Sequence, residues 1–220
     1  MTAIRDAQVQ LDAFEALARH FKRKLPARPF PKIRESLEKN CRSEERKFLK
    51  GDAVAKVKRI LRKLEQRVGG LKIVADGWPA IAPGLQKSFS GGRETCKRVR
   101  TESSPEHFHE WRKRVKDLRC QIRMLCPVWP KELREAAVEL ETLGECLGGD
   151  HDLFMLKEFV TGKFKGARDA GALNELIFSR QNELRSAACK LAARFFAEKP
   201  LALCRRLRRH WKIWRSESKK

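Results

Sequence analysis

Residues 109–123 have two chemically opposite faces if the stretch forms a helix. Cationic side chains, with one cysteine, recur there at spacings of three and four, which place them on one side of an α-helix. This basic face consists of His109, Arg112, Lys113, Lys116, Arg119, Cys120 and Arg123. Apolar residues occupy the other side: Phe108, Trp111, Val115, Leu118, Ile122 and Leu125. The pattern predicts a helix that buries its apolar side in a core and presents a row of cations to an anion.

The rest of the chain has the same helical periodicity. Helix formers dominate, tyrosine is absent and no alternating β pattern occurs. We predict an all-α protein of seven or eight helices, mostly antiparallel neighbours because the connections are short. The helices are predicted over residues 2–23, 32–49, 52–68, 78–100, 105–125, 131–161 and 168–197, and from residue 200 onward.

Several residues predict where these helices begin, end or break. Ser103 or Ser104, before Pro105, is expected to start the helix that carries the basic face. Asp52 is expected to cap the third helix, and Gly69-Gly70 to end it. Interruptions of the fourth helix are expected at Pro83-Gly84 and Gly91-Gly92. A bend at Gly148-Gly149 would let Asp152 cap a restarting helix, although pairing with a basic residue is the alternative.

The charge of the chain predicts an anionic partner. Its 220 residues contain 50 Lys and Arg against 28 Asp and Glu, which gives a formal net charge of +22. Such an excess attracts polyanions such as nucleic acid, inorganic polyphosphate or an anionic membrane. No apolar run approaches the roughly 18 residues needed to span a bilayer, and we expect no membrane partner.

The seven cysteines predict free thiols in a reduced compartment. They are odd in number, form no CxxC pair and follow a polar N-terminal segment without the pattern of a signal peptide. With only five histidines beside them, a zinc site is not expected. We therefore predict a cytoplasmic protein that holds no metal and no cofactor.

A family resemblance enters through two segments. His109-x-x-Arg112-Lys113-x-x-Lys116-x-Leu118-Arg119 is followed about thirty residues later by Leu143-Gly-Glu-Cys-Leu-Gly-Gly-Asp-His151-Asp152-Leu153. Together with the stretch from Trp78 to Arg93 and the ending Arg206-Leu…Trp211-x-x-Trp214-Arg215, they resemble the CHAD family, the conserved histidine α-helical domain. The resemblance covers most of residues 76–216.

The resemblance implies an architecture and a ligand. CHAD domains are built from two pseudo-symmetric helical bundles around a shared basic groove or pore, and family members are reported to bind inorganic polyphosphate. We accordingly expect one domain over residues 1–220, with a partial first bundle in 1–70 and the second bundle in 76–216. The His-bearing helix that should precede Arg5-Asp6 is not found. The first half is therefore expected to be incomplete, with one wall of the pore missing or supplied by a second copy in a homo-oligomer.

Carried over by position, the resemblance also implies the site. The expected pore-lining residues are His109, Arg112, Lys113, Lys116 and Arg119, with Arg93 as a further matching position. Helical spacing adds Lys97 and Arg123. These residues predict non-catalytic binding of polyphosphate, for which sulfate or phosphate ions would be stand-ins, and targeting to polyphosphate granules.

Two other functions compete with this prediction. The net charge alone would suit a general RNA- or DNA-binding protein, and Trp129 is the aromatic residue whose place in the core is least certain. A metal-dependent phosphohydrolase using His109, His151 and Asp152 is the enzyme alternative. The sequence contains no P-loop, no nucleophile with an adjacent base and no ExExK set, so we do not expect an enzyme.

Overall fold

A computed structural model of the chain describes residues 2–72 and 75–218, with only the backbone of Thr2 and Ala53 included. These ranges contain eight helices and no strand, which confirms the predicted all-α fold. The helices are α1 (Thr2–His20), α2 (Pro31–Lys50), α3 (Ala53–Gly69), α4 (Trp78–Thr101), α5 (Pro105–Leu125), α6 (Pro130–Lys163), α7 (Arg168–Phe195) and α8 (Pro200–Glu217). Among the described helices, none is long and apolar enough to cross a membrane. The pseudo-symmetry of two halves stays a prediction.

Helix α5 begins with a side-chain N-cap, whereas helix α3 does not. Ser104 precedes α5, and its side-chain oxygen accepts a hydrogen bond from the His107 N–H at 3.3 Å, so this predicted N-cap is confirmed. Asp52 precedes α3, but its side chain makes no capping hydrogen bond, and the predicted cap there is wrong. The backbone of Asp52, at φ −74° and ψ 24°, is outside the extended region that a capping residue needs.

The predicted interruptions of α4 are also wrong, because the helix is continuous through Pro83 and both glycine pairs. Pro83 removes one backbone hydrogen bond, but the buried side chains of Trp78 and Phe89 anchor the flanking turns in the core. Gly92 is needed for packing rather than for a break. A Cβ at this position would lie 2.8 Å from the ring of Phe196.

Helix α6 likewise continues through Gly148 and Gly149. The chain does not restart a helix at Asp152, so the predicted N-cap at that residue is wrong. Gly149 allows α6 to pack closely on α7, because a Cβ at this position would lie 3.2 Å from Cδ1 of Leu184. A glycine pair therefore marks close helix contacts in both α4 and α6.

One compact unit contains residues 2–72 and 152–182. In it, α1 packs against α2, and Gln10 of α1 donates a hydrogen bond to the Met155 carbonyl at 3.5 Å. Its buried apolar residues include Ala7, Phe14, Leu17, Phe21, Ile33, Leu37, Leu153, Leu156, Val160, Leu173 and Ile177. Helix α3 belongs to this unit, but most of its side chains are exposed.

The second compact unit contains residues 75–151 and 183–218. Here α4 packs against both α5 and α8, and α6 and α7 close the core. The fully buried side chains include those of Leu85, Phe89, Trp111, Leu118, Ile122, Leu140, Leu143, Leu147, Ala188 and Leu207. Burial of this many large side chains fixes the position and rotation of α5, the helix that carries the basic face.

Candidate anion-binding face

Helix α5 separates its side chains as the sequence predicts. All six apolar residues of its inner side are buried, and none of them is more than 5% exposed. The outer side is the basic face, on which Arg112 and Arg119 are half-buried while His109, Lys113, Lys116, Cys120 and Arg123 are exposed. Because the inner side is fully packed, the cations cannot rotate away from the surface.

Helix α6 runs antiparallel to α5 along one edge of the basic face. Near one end, Arg119 Nη1 donates to Glu141 Oε1 at 2.9 Å. Near the other end, the rings of His109 and His151 are in contact, with their centroids 5.0 Å apart. The same number of residues separates these two contacts on each helix. The two helices therefore keep one register along the whole basic face.

Two glycines of α6 lie opposite the middle of the basic face. A Cβ at Gly148 would lie 3.8 Å from Nε of Arg112, and a Cβ at Gly144 would meet no atom within 4 Å. The shared register of the helices places Lys116 across from Gly144. Since neither glycine has a side chain, α6 places no side chain next to these two cations.

Acidic partners neutralise only part of the basic face. Lys113 pairs with Glu110 at 2.9 Å, as Arg119 does with Glu141. The hydrogen bond from Lys113 lowers the pKa of the Glu110 carboxyl, which keeps this carboxyl ionised. Within the described part of the chain, no side-chain ion pair or hydrogen bond is formed by Arg112, Lys116 or Arg123. Three neighbouring cations are left for an anion to neutralise.

The two predicted site residues of α4 lie on the flank of that helix that points away from α5. Arg100 donates to the Cys189 carbonyl of α7 at 3.2 Å, and helical spacing puts Arg93 and Lys97 on the same flank as Arg100. The opposite flank of α4 faces α5, because a Cβ at Gly91 would lie 3.3 Å from the Arg114 side chain. The structure therefore does not bring Arg93 and Lys97 next to the basic face of α5.

A buried ion pair fixes the beginning of α5, and it is not foreseen from the sequence. Arg185 of α7 donates from Nε to Oδ1 of Asp150 at 2.7 Å and from Nη2 to Oδ2 at 3.4 Å. The Asp150 side chain is only 4% exposed. The same guanidinium lies 4.5 Å from the ring centre of Phe108, the residue before His109. This arrangement holds α5, α6 and α7 together at the histidine end of the basic face.

Trp129 is not available as a free stacking platform. Its ring is stacked on His210 of α8, with centroids 3.9 Å apart and an interplanar angle of 8°. The guanidinium of Arg206 lies 5.0 Å from the indole centre. Trp129 is half-buried and packs against the core of its unit. Its function here is to attach α8 to the connection between α5 and α6.

We also examined the described side chains as metal ligands and as reactive thiols. In the described ranges, no group of three or more His, Cys, Asp or Glu side chains is placed to hold a metal ion. All seven cysteines are free, as predicted. Burial raises the pKa of the Cys96 and Cys204 thiols, so both are held in the unreactive protonated form.

Comparison with protein families gives one match. The CHAD domain model matches residues 1–161, which is well over half of the 220 residues and includes the whole of α5. The chain belongs to the CHAD family. CHAD domains are associated in general with polyphosphate binding. The matched range contains all eight residues that the sequence predicts for the site, whereas α7, α8 and the C-terminal residues that resemble the family lie beyond it.

No match to this CHAD protein was found among curated proteins or among solved structures. The family assignment therefore depends on the domain model and on the residues of α5 and α6.

Proposed function

We propose that this CHAD protein binds inorganic polyphosphate, without catalysis, along the basic face of α5. The observation that carries the proposal is the pairing pattern of that face: Arg112, Lys116 and Arg123 have no acidic partner among the described residues. In addition, α6 has a glycine opposite each of the first two. The family association supports the same ligand.

The chemistry of a polyphosphate chain suits a row of donors better than a pocket. Every phosphate is charged, and there is no sequence to recognise. Lys and Arg at helical spacing provide donors about 5–6 Å apart. Arginine offers paired N–H donors to phosphate oxygens, and lysine offers a compact charge. Each charge-assisted hydrogen bond contributes on the order of 1.5–3 kcal/mol.

Arg112 is the central donor in this proposal. It is half-buried between α5 and Gly148, so its side chain loses less freedom on binding than an exposed lysine would. Lys116 and Arg123 extend the row, and His109 adds a donor at the N-terminal end of α5. Arg93 and Lys97, on the far flank of α4, would contribute only through long-range attraction.

The test is a titration with long-chain polyphosphate at low salt. The wild-type protein should bind, and the triple variant Arg112→Ala, Lys116→Ala, Arg123→Ala should bind at least about 100-fold more weakly. A control of equal charge loss is Arg205→Ala, Arg208→Ala, Arg209→Ala on the exposed side of α8. Circular dichroism should show unchanged helicity in both variants. Equal loss of binding in the two triple variants would mean that net charge, not the α5 face, attracts the ligand.

Competition separates this function from nucleic-acid binding. RNA or DNA added at equal phosphate concentration should fail to displace polyphosphate, since the aromatic ring of Trp129 is already stacked within the protein. Release of phosphate from polyphosphate in the presence of divalent metal would instead support the hydrolase alternative with His109, His151 and Asp152.

A cellular consequence follows if the proposal is correct. A fluorescent fusion of the protein should concentrate on polyphosphate granules, and the α5 triple variant should lose this localisation while the α8 control keeps it.

A further inference from the structure

Helix α3 exposes an apolar stripe, which consists of Val54, Val57, Ile60, Leu61, Leu64 and Val68 and continues to Leu71 just after the helix. Apart from the half-buried Val57, these side chains are between 47% and 69% exposed. Of the twelve large hydrophobic side chains that are exposed in the described residues, seven lie between Leu49 and Leu71. A contiguous exposed stripe of this kind marks an interaction surface.

Basic residues border the apolar stripe on both edges. Helical spacing puts Lys56, Lys63 and Arg67 along one edge and Lys58 and Arg62 along the other. The helix contains six Lys and Arg residues and a single acidic residue, Glu65. The partner must therefore offer an apolar interior beside a layer of negative charge.

The charge of α3 argues against a second copy of this chain as the partner. The stripe has the three- and four-residue steps of a coiled-coil seam, but pairing two α3 helices would bring like charges together at the edges of that seam. Residues at those edges include Lys58, Lys63 and Arg67, and only Glu65 could offset them. An anionic surface has the complementary charge.

Apolar surface continues from α3 onto the ends of α1 and α2. A shallow pocket of about 410 Å³ beside α3 has apolar walls formed by Ile4, Phe48, Val57 and Ile60. Its lining also contains two lysines, Lys47 and Lys56, and two acids, Glu44 and Asp52. Because the acids offset the lysines and Glu44 is paired with Lys47, the pocket adds apolar surface to the stripe but no net positive charge.

We propose that α3 binds the surface of a bilayer containing anionic phospholipids. The helix would lie parallel to the surface, with the apolar stripe among the acyl chains and its lysines and arginines extended to the headgroup phosphates. This mode needs no membrane-spanning segment. The proposal differs from the expectation of no membrane partner, because that expectation considered spanning segments alone. It does not depend on polyphosphate binding at α5.

Vesicle co-sedimentation tests the proposal with the full-length protein. Wild-type protein should bind vesicles that contain phosphatidylglycerol and should not bind vesicles of phosphatidylcholine alone. The double variant Leu61→Asp, Leu64→Asp should lose at least about tenfold in affinity for the anionic vesicles. Because both leucines are largely exposed, the variant should unfold at the urea concentration of the wild type. If it does not fold, Leu61→Ser, Leu64→Ser replaces it.

Two comparisons decide whether the apolar stripe is responsible. The α5 triple variant Arg112→Ala, Lys116→Ala, Arg123→Ala should bind anionic vesicles nearly as well as the wild type. Retained vesicle binding by both leucine variants would overturn the proposal in favour of attraction by net charge. Light scattering gives the other contrary outcome, namely a wild-type dimer that dissociates in the leucine variants, since the stripe would then bind a second copy of the chain.

Discussion

Helices α5 and α3 have similar amphipathic patterns and opposite environments. Each carries six lysines and arginines beside a row of apolar residues. In α5 the apolar side is buried by neighbouring helices, and Leu118 and Trp111 have no exposed surface. In α3 the equivalent residues remain in contact with solvent, and Leu61 is 54% exposed. The amphipathic pattern alone therefore does not decide whether a helix becomes part of a core.

The difference has a consequence for binding. The packed side of α5 fixes the backbone from which its cations extend, which keeps their spacing regular for a ligand with regularly spaced charges. The apolar side of α3 can still be buried by a partner, and its cations can adapt to a fluid surface. Fixed donors suit a linear polyanion, whereas an exposed apolar stripe with basic edges suits a lipid surface.

The largest expected difference between the two helices is in stability. Leu118→Ala on α5 removes a fully buried side chain and should lower the free energy of unfolding by about 2–5 kcal/mol. Leu61→Ala on α3 should change it by no more than about 0.5 kcal/mol. Urea denaturation of both variants measures the contrast. Similar losses for the two would show that α3 is packed in solution.

The glycines of α6 opposite the basic face give the next prediction. Gly144→Leu would fill the space opposite Lys116 without changing any charge, and polyphosphate affinity should fall about tenfold, or 1.4 kcal/mol. Gly171→Leu on α7 is the matched control, because a Cβ there also meets no atom within 4 Å. Isothermal titration calorimetry compares them. Unchanged affinity in Gly144→Leu would mean that α5 acts as a charged surface, as α3 does, and not as one wall of a groove.

The helix starts provide a smaller contrast. Ser104→Ala removes the hydrogen bond to the His107 N–H and should cost about 1 kcal/mol of stability. Asp52→Ala removes no capping hydrogen bond and should cost at most a few tenths of a kcal/mol. Thermal or urea unfolding monitored by circular dichroism gives both values. A larger loss in Asp52→Ala would contradict the described start of α3.

The smallest expected effect concerns the acid that pairs with the basic face. Glu141→Gln would release Arg119 and remove one negative charge near the ligand, so polyphosphate should bind up to about fivefold more tightly, in line with the 0.2–1 kcal/mol of exposed ion pairs. Glu65→Gln on α3 removes the same charge without changing any residue of the basic face or its partners, and it should leave this affinity unchanged. Weaker binding in Glu141→Gln would mean that the ion pair positions Arg119 for the ligand.

The faces of α5 were predictable because helical periodicity follows burial closely, and all six predicted inner residues are buried. The antiparallel order of α5 and α6 could also have been predicted from their short connection. Their register could not, because Arg119 lies nearer the end of α5 than Glu141 lies to the start of α6. The positions of Gly144 and Gly148 opposite the basic face therefore had to come from the structure.

Other features depend on tertiary contacts that leave no local signal. The glycine pairs of α4 and α6 resemble helix breaks, and only the approach of Phe196 and Leu184 shows that they are packing positions. The ion pair of Asp150 with Arg185 joins residues of different helices. Arg93 fits the family pattern, but its place on the far flank of α4 becomes visible only through the contact of neighbouring Arg100 with α7.

The steady spacing of cations along α5 has a consequence for the kinetics of a long ligand. Arg112, Lys116, Arg119 and Arg123 repeat every three or four residues, and a chain of identical phosphates shifted by one unit would meet nearly the same donors. Many alignments would then have similar energies, and a long chain could slide along the helix without leaving it. Residence time would grow with ligand length even after every cation is occupied, as expected when a ligand can slide between equivalent alignments before it dissociates.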